Sequence, residues 1–364
     1  MSTKRKVERS PDETPPPALR VGVLGLGIMG SAMAGNLIKA GFTVWGADPV
    51  AAARARHRAA GGQLCRDAAE LARLVDVIVC SLPSAAALHD CAREIAASGA
   101  TGDAGAHGLV IAETSTLDIE DKRAARDVLA RAGITLLDCP LSGTGAQAAR
   151  KDLTVYASGP ARAIRRMQPV FEGFSREQFN LGAFGNGMKM KLMANLLVAI
   201  HNVSTAEALL LGQRWGIRPT EAVKVLAGGA GGSRMLQVRG PLMEGEGWKD
   251  PTMKIAVWQK DMKLIGDALR ANGVPAPLFA ATVPVYDAAM GLGHAMHDTA
   301  AVFDVLARMS SPPGAGPVVE PAPRSSAGKV ASNTAPAARA PRAPRAPRAP
   351  RAPRAARAPR SRKA

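Results

Sequence analysis

The chain has 364 residues, 47% of them hydrophobic and 21% charged, with a formal net charge of +17. That length and apolar share suffice for two domains and exclude a small disulfide-framed module or a chain disordered throughout. The charge does not belong to the body of the protein: twelve basic residues and no acid lie in residues 324–364, leaving +5 for everything before them.

Residues 1–18 are polar and proline-rich, with Lys4-Arg5-Lys6 offset by Glu8, Asp12 and Glu13. They are expected to form a disordered leader, because they lack the apolar segment of a secretory signal. No stretch approaches the ~18 apolar residues of a membrane span, so no membrane partner is expected. The four cysteines, Cys65, Cys80, Cys91 and Cys139, contain no C-x-x-C pair and no zinc-ligand rhythm. They read as reduced thiols of a cytoplasmic protein without a metal.

Residues 19–182 are expected to form the first domain. An apolar strand from Val21 to Leu24 runs into Gly25-Leu26-Gly27-Ile28-Met29-Gly30, and a helix follows with Met33, Ala34, Leu37 and Ile38 on one face, closed by Gly41. Strand, glycine turn and helix in this order make a dinucleotide site: Gly25 permits the tight turn, Gly27 lets the backbone approach a pyrophosphate, Gly30 lets helix and strand pack, and the helix N-terminus offers free N–H groups. A second strand over residues 42–47 delivers Asp48. An acid there accepts hydrogen bonds from ribose hydroxyls and repels a 2'-phosphate, which predicts NAD over NADP. Arg54, Arg56 and Arg58 further on are the groups through which a 2'-phosphate would be met instead.

Strands are expected over residues 75–81, 109–112, 135–139, 154–158 and 178–181, with helices between. Such alternation predicts an α/β fold of Rossmann type, doubly wound around a mainly parallel sheet, with ligands at the carboxyl ends of the strands. Leu82-Pro83 closes one strand and reads either as a contact to the adenine or ribose side of the dinucleotide or as a plain turn. Tyr156 has no lysine at short helical spacing, which disfavours Ser-Tyr-Lys reductase chemistry.

Residues 183–309 read as an all-α domain. A long interdomain helix over 188–215 is followed by helices near 219–227, 253–272, 278–290 and 298–309, and the substrate cleft is expected between sheet and bundle. Gly185-Asn186-Gly187 precedes the long helix, whose first turns carry Lys189, Lys191 and Asn195. Lys191 and Asn195 are four apart and share a face, to which Asn202 returns. The helix dipole and burial in a cleft would both lower the pKa of such a lysine, making it a proton donor to a carbonyl or an acceptor from an alcohol. Spacing alone favours solvated surface lysines. Gly228 to Gly232 reads as a flexible loop near the cleft, and His294, His297 and Asp298 as capping or surface groups rather than metal ligands.

Residues 310–364 are expected to be a disordered tail. From Arg339 it repeats Arg-Ala-Pro, which cannot bury a core. Proline at every third place favours polyproline II and aligns the arginines along one side, a strip suited to non-specific binding of nucleic acid or another polyanion. A solubilising extension is the alternative.

Four motifs, in order, resemble those of the β-hydroxyacid dehydrogenases, the group of 3-hydroxyisobutyrate dehydrogenase, tartronate semialdehyde reductase and glyoxylate reductase. They are Gly25-Leu26-Gly27-Ile28-Met29-Gly30 continued by Met33-Ala34 and Asn36-Leu37; Asp138-Cys139-Pro140-Leu141-Ser142-Gly143; Gly185-x-Gly187-x-x-x-Lys191-x-x-x-Asn195; and Lys260-Asp261. The resemblance runs from about Val21 to Met309. It implies that Lys191 is the catalytic acid/base and Asn195 its substrate-binding partner. It implies further that Ser142 and Gly143 hold the substrate, and that Ile28, Met29, Leu82, Pro83, Thr116 and Lys260 contact the cofactor. The substrate motif ordinarily continues with a second glycine where this chain has Thr144, which bears on substrate size and polarity. The activity so implied is NAD-dependent hydride transfer from a small 3-hydroxy acid by a homodimer or homotetramer, without a metal. Two rivals are a non-catalytic dinucleotide module tethered to nucleic acid by its tail, and reduction of an imine, which should not favour a lysine at the proton-donor place.

Overall fold

In the computed structural model, which describes residues 19–100 and 108–310, β1 (Val21–Leu24) lies in the middle of a six-stranded parallel sheet, with all four residues buried. β2 (Val44–Ala47) and β3 (Gln63–Leu64) follow on one side, and β4 (Val77–Cys80), β5 (Val110–Glu113) and β6 (Thr135–Asp138) on the other, in the order β3-β2-β1-β4-β5-β6. Strand order reverses between β1 and β4, so the loops after these two strands diverge and open a crevice at their carboxyl ends. The leader 1–18 and the tail beyond Ser310 lie outside the described residues.

Helices α1 (Ile28–Lys39), α2 (Ala51–Ala59), α3 (Ala68–Leu74), α4 (Ala85–Ala97) and α5 (Ile119–Arg131) connect the strands. Because helices cover both faces, the central strands are buried on both sides and read as unbroken apolar runs. Val77-Ile78-Val79 in β4 shows this. Val77 and Val79 join one core with Met33, Leu37 and Phe171, while Ile78 joins the other with Leu71, Ile95 and Leu129.

The expected strands at 154–158 and 178–181 form, but not in this sheet. β8 (Thr154–Ala157) and β9 (Glu177–Asn180) pair in parallel with each other, and β7 (Leu141–Ser142) pairs antiparallel to β8. Pro140, which has no N–H to extend a ladder, follows β6 closely. Asp138, the last residue of β6, makes an isolated antiparallel bridge to Ser158. The chain therefore leaves the large sheet and starts a small one at its edge. The short α6 (Gly145–Ala149) lies between β7 and β8, and α7 (Ala161–Phe174) returns over α1. β3, with two residues, is too short to show a period in the sequence.

α8 (Asn186–Arg214) is 29 residues long and is followed by α9 (Pro219–Leu226), α10 (Arg234–Arg239), α11 (Ile255–Ala271), α12 (Pro277–Gly291) and α13 (Val302–Met309). By length and composition alone α8 is apolar enough to cross a membrane, contrary to the sequence expectation. Here that apolar length serves as the axis of the helical layer, with α10, α11, α12 and α13 packed around it. Ala199, Val203, Ala206 and Leu209 from α8 meet Trp248, Trp258, Tyr286 and Phe303 in one core.

Sheet and helical layer are joined by a buried ionic cluster. Lys122 of α5 places Nζ 2.7 Å from Glu113 Oε2 and 2.8 Å from Asp138 Oδ1, and all three side chains are shielded from solvent. Burial acts to lower the Lys122 pKa, but the two carboxylates outweigh it and hold the ammonium above its ordinary value. Asp138 Oδ2 accepts the Met188 N–H at 2.9 Å and the Ser158 hydroxyl at 3.0 Å, and Ser158 Oγ accepts the Gly187 N–H at 3.0 Å. The otherwise unpaired donors of the first turn of α8 are thereby satisfied. Glu113 Oε1 accepts the Ser115 N–H at 2.9 Å, and Ser115 Oγ accepts the Leu82 N–H at 2.8 Å. One ammonium thus connects the loop after β4 with the start of α8.

Replacing Lys122 by Met should lower unfolding free energy by about 3–5 kcal/mol, since it leaves two buried carboxylates without their cation. Urea unfolding followed by circular dichroism checks this; a loss below about 1 kcal/mol would mean that the backbone donors alone hold the carboxylates.

Candidate active site

The glycine turn is shaped by backbone crowding. Gly25 has φ +89°, and a Cβ there would lie 2.1 Å from Ser81 O; a Cβ on Gly30 would lie 1.8 Å from Gly25 O. At Gly27 a Cβ would meet nothing within 4 Å, so this glycine is not required by packing and leaves the backbone open to approach from outside. Gly27 is the N-cap of α1 and supplies no side-chain cap to the helix. Uncapped N–H groups behind an open glycine fit the pyrophosphate of a dinucleotide.

Asp48 braces this turn as well as facing it. Its Oδ2 accepts the Leu26 N–H at 2.7 Å and its Oδ1 accepts the Val50 N–H at 2.7 Å. Each oxygen keeps a further lone pair for ribose hydroxyls. Of the three nearby arginines, Arg54 comes closest to this end of the sheet, donating from Nη1 to Asp48 O at 2.7 Å and Pro49 O at 2.8 Å.

A cleft of about 270 Å³, small for a small-molecule site, opens beyond the turn. Ile28 and Met29 from α1 line it, with Leu82 from the loop after β4 and Thr116 from the loop after β5. Gly143 and Thr144 line it from the loop after β7, Lys191 from α8, and Lys260 with Asp261 from α11. The structure therefore brings together residues from all four motifs. Pro83 is exposed and does not line the cleft, nor do Ser142, which precedes the lining Gly143, and Asn195, which is bonded to the lining Asp261.

Lys191 is 8% exposed, whereas Lys189 lies in solvent. The reading of both as surface charges fails for Lys191. Burial holds its ammonium below the ordinary lysine value; Asp261 opposes that shift and Lys260 adds to it. Asp261, itself 5% exposed, is raised by burial against the opposing pull of Lys260, Lys191 and a hydrogen bond from Asn195. That bond runs from Asn195 Nδ2 to Asp261 Oδ2 at 3.0 Å, and Lys260 Nζ lies 3.4 Å from Asp261 Oδ1 while also donating to Thr116 O. Asp261 is the site residue that sequence reasoning passed over, although it stands beside Lys260 in the fourth motif.

Thr144, in place of a glycine, starts α6. Its N–H donates to Gln147 Oε1 at 3.1 Å and its side chain accepts from the Gln147 N–H, the two halves of a capping box. Asn36 of α1 donates to Ala148 O at 2.7 Å and holds α6 against the glycine-turn helix. The short helix after β7 and the glycine-turn helix are therefore tied together. Gly187 explains itself in the same way: a Cβ there would lie 2.4 Å from Tyr156 O and 2.7 Å from Asp138 O, so only glycine lets α8 start this close to the sheets.

Other candidates lie elsewhere. Asn202 does not reach the cleft; its Nδ2 donates to Tyr286 Oη at 3.0 Å and Thr299 O at 2.9 Å within the helical core. Gly228 to Gly232 connects α9 with α10 and lines no part of the cleft. His294 pairs with His297 and with Asp304 Oδ2, each at 2.8 Å, while Asp298 is bound to Arg239. Among the described residues no set of three His, Cys, Asp or Glu side chains converges for a metal. Burial pushes the Cys65 and Cys91 thiols up to about 11.

Comparison with known proteins agrees with this geometry. Residues 20–211 match the family model of the NAD-binding domain of 6-phosphogluconate dehydrogenase, and residues 185–306 match that described as NAD-binding of NADP-dependent 3-hydroxyisobutyrate dehydrogenase. The chain is 32% identical over 296 residues to L-threonate dehydrogenase of Cupriavidus necator, covering 80% of this chain and 97% of that protein. It is 28% identical over 295 residues to 2-(hydroxymethyl)glutarate dehydrogenase of Eubacterium barkeri, covering 80% and 96%. A solved structure of 3-hydroxyisobutyrate dehydrogenase from Mycobacterium tuberculosis with L-serine superimposes with a TM-score of 0.69 at 28% identity, over 79% of this chain and 99% of that one. With a match that spans more than half of its length and relatives covered almost end to end, the chain belongs to the β-hydroxyacid dehydrogenase family, whose cofactor is a nicotinamide dinucleotide.

Proposed function

We propose that this protein oxidises a small 3-hydroxy acid, of the 3-hydroxyisobutyrate, glycerate or threonate type, with NAD as the preferred cofactor and Lys191 as the proton carrier. The observation that carries the reading is a single buried lysine, held below its ordinary pKa, in the cleft that adjoins the glycine turn. Bound NAD supplies a hydride acceptor. Lys191 in its neutral form takes the hydroxyl proton of the substrate, and as ammonium returns it to the carbonyl in the reverse direction. The Gly143 N–H and the Ser142 hydroxyl hold the substrate carboxylate, and Thr144 limits the space beside it. Asn195, steadied by Asp261, orients the substrate hydroxyl with the part of its amide left unbound.

Gly25, Gly27, Ile28, Met29 and Gly30 take the pyrophosphate, Asp48 the ribose, and Leu82, Pro83, Thr116 and Lys260 the remaining cofactor surface. Asp48 supports NAD over NADP because a carboxylate repels a 2'-phosphate. Retention of Lys191, Asn195 and Ser142 together counts against a merely structural dinucleotide module and against imine chemistry. Exposed apolar side chains on and just after α8, among them Met193, Leu197 and Trp215, support a homodimer or homotetramer. Free thiols support a cytoplasmic location. The Arg-Ala-Pro repeat supports polyanion binding through arginine alone; the full chain should shift nucleic acid in gels in a salt-sensitive way, and a salt-independent shift would contradict simple phosphate binding.

Lys191→Ala should lower kcat by at least about a hundredfold while NADH still binds, as followed by cofactor fluorescence; undiminished turnover would remove the lysine from the mechanism. Because the neutral amine is the base and its pKa is depressed, oxidation should rise with pH through an ionisation below the ordinary lysine range, and carbonyl reduction should fall through the same one. A profile without that step would contradict the assignment. In steady-state assays kcat/KM should favour NAD over NADP, and Asp48→Ala should narrow the difference. A native preference for NADP would point to Arg54 instead.

A further inference from the structure

Three lysines line the cleft, Lys191, Lys254 and Lys260, against one acid, Asp261. Two of the three are accounted for. Lys260 donates to Thr116 O and lies beside Asp261, and Lys191 is buried against the same carboxylate. Lys254 differs: among the described residues its ammonium has no hydrogen-bond or ion-pair partner, although it stands on the cleft wall between Met253 and Val257.

The backbone that carries Lys254 is held rigidly. Asp298, with no solvent exposure, accepts the Thr252 N–H at 2.7 Å and the Met253 N–H at 3.0 Å, and Arg239 Nη1 grips its two oxygens at 2.9 and 2.7 Å. Lys254 itself bridges to Asp298, and the following Ile255 N–H donates to His297 O at 3.0 Å. Lys254 is also the N-cap of α11, and its carbonyl accepts the Val257 and Trp258 N–H groups. A buried arginine, a buried aspartate and a helix start therefore hold the backbone from which one unpaired cation extends on the wall of a small cleft. A positive charge so placed favours an anion and disfavours a neutral group nearby.

Where that anion comes from follows from the charge already present. The oxidised nicotinamide ring brings a further positive charge, so a substrate with one carboxylate leaves the cleft with excess positive charge. A second carboxylate removes it. The geometry points to Lys254 as a specificity-determining residue that receives a second carboxylate of the substrate, distinct from the one held at Ser142 and Gly143, which narrows the 3-hydroxy acids proposed above to those with two carboxylates in preference to the monocarboxylates. This rests on the reading of the cleft as a hydroxy-acid site given under Proposed function.

The test uses the full chain and the variants Lys254→Met and Lys254→Arg. The ratio of kcat/KM for 2-(hydroxymethyl)glutarate over 3-hydroxyisobutyrate should favour the dicarboxylate in the native protein. In Lys254→Met it should fall by about ten- to a hundredfold, the range for a charge-assisted hydrogen bond, and it should recover in Lys254→Arg. The fall should come through KM. A ratio that stays within about twofold, or a loss of NADH affinity with the ratio unchanged, would overturn the assignment.

A binding measurement separates this inference from the function on which it rests. With NADH present, glutarate should raise the melting temperature more than butyrate does, and Lys254→Met should abolish the difference. Were the native protein to turn over neither acid and still show this difference, the proposed activity would fail and the Lys254 subsite would stand. Equal effects of glutarate and butyrate on the native protein would remove the subsite, whatever the turnover.

Discussion

A single ammonium group, that of Lys122, is shared by Glu113 and Asp138 where water does not reach, and both sides of the cleft depend on it. Through Glu113 and Ser115 it fixes the Leu82 N–H on the cofactor side; through Asp138 and Ser158 it fixes the first turn of α8, which carries Lys191. Two carboxylates around one cation would leave a buried negative charge. The N-terminus of a 29-residue helix, with its partial positive charge, lies at the spot where that charge needs an answer. The placement of Lys191 is thus an electrostatic consequence of the packing beneath it.

The chemistry of the cleft follows from a second, smaller shortage of charge. Asp261 is the one acid on a wall with three lysines. It is hydrogen-bonded by Asn195 and lies close to Lys260, which limits what it returns to Lys191. Burial therefore prevails and Lys191 stays below its usual pKa. The loop bearing Lys254 is positioned separately, by the buried Arg239–Asp298 pair, which shares no residue with the Lys122 cluster.

Parts of this were legible in the residues alone because they obey local rules. Gly25, Gly27 and Gly30 sit where a turn, an open backbone and a close packing contact are required, and Asp48 ends the second strand. Lys191 and Asn195 share a helix face by spacing. Elements of ordinary length, such as α8 and α12, were read to within a few residues of their ends. The failures concern short or non-local features. β3 has two residues and no period to detect. β8 and β9 have the pattern of strands, but which sheet a strand joins depends on Pro140 and on the Asp138–Ser158 bridge. Asn202 shares the helical face of Lys191, yet about three further turns carry it into the core beside Tyr286.

The sequence by itself determined the glycine turn, the succession of strands and helices, and that Lys191 and Asn195 share a helix face, since each is written in neighbouring residues or in helical spacing. Tertiary structure alone decided that Lys122 joins Glu113 to Asp138, that Asp261 faces Lys191 and accepts from Asn195, and that Arg239 reaches Asp298. These partners stand 9, 16, 70, 66 and 59 positions apart, on different elements. No period or propensity links such positions. They meet because a buried charge must find its counter-charge, and only the folded chain supplies one within reach.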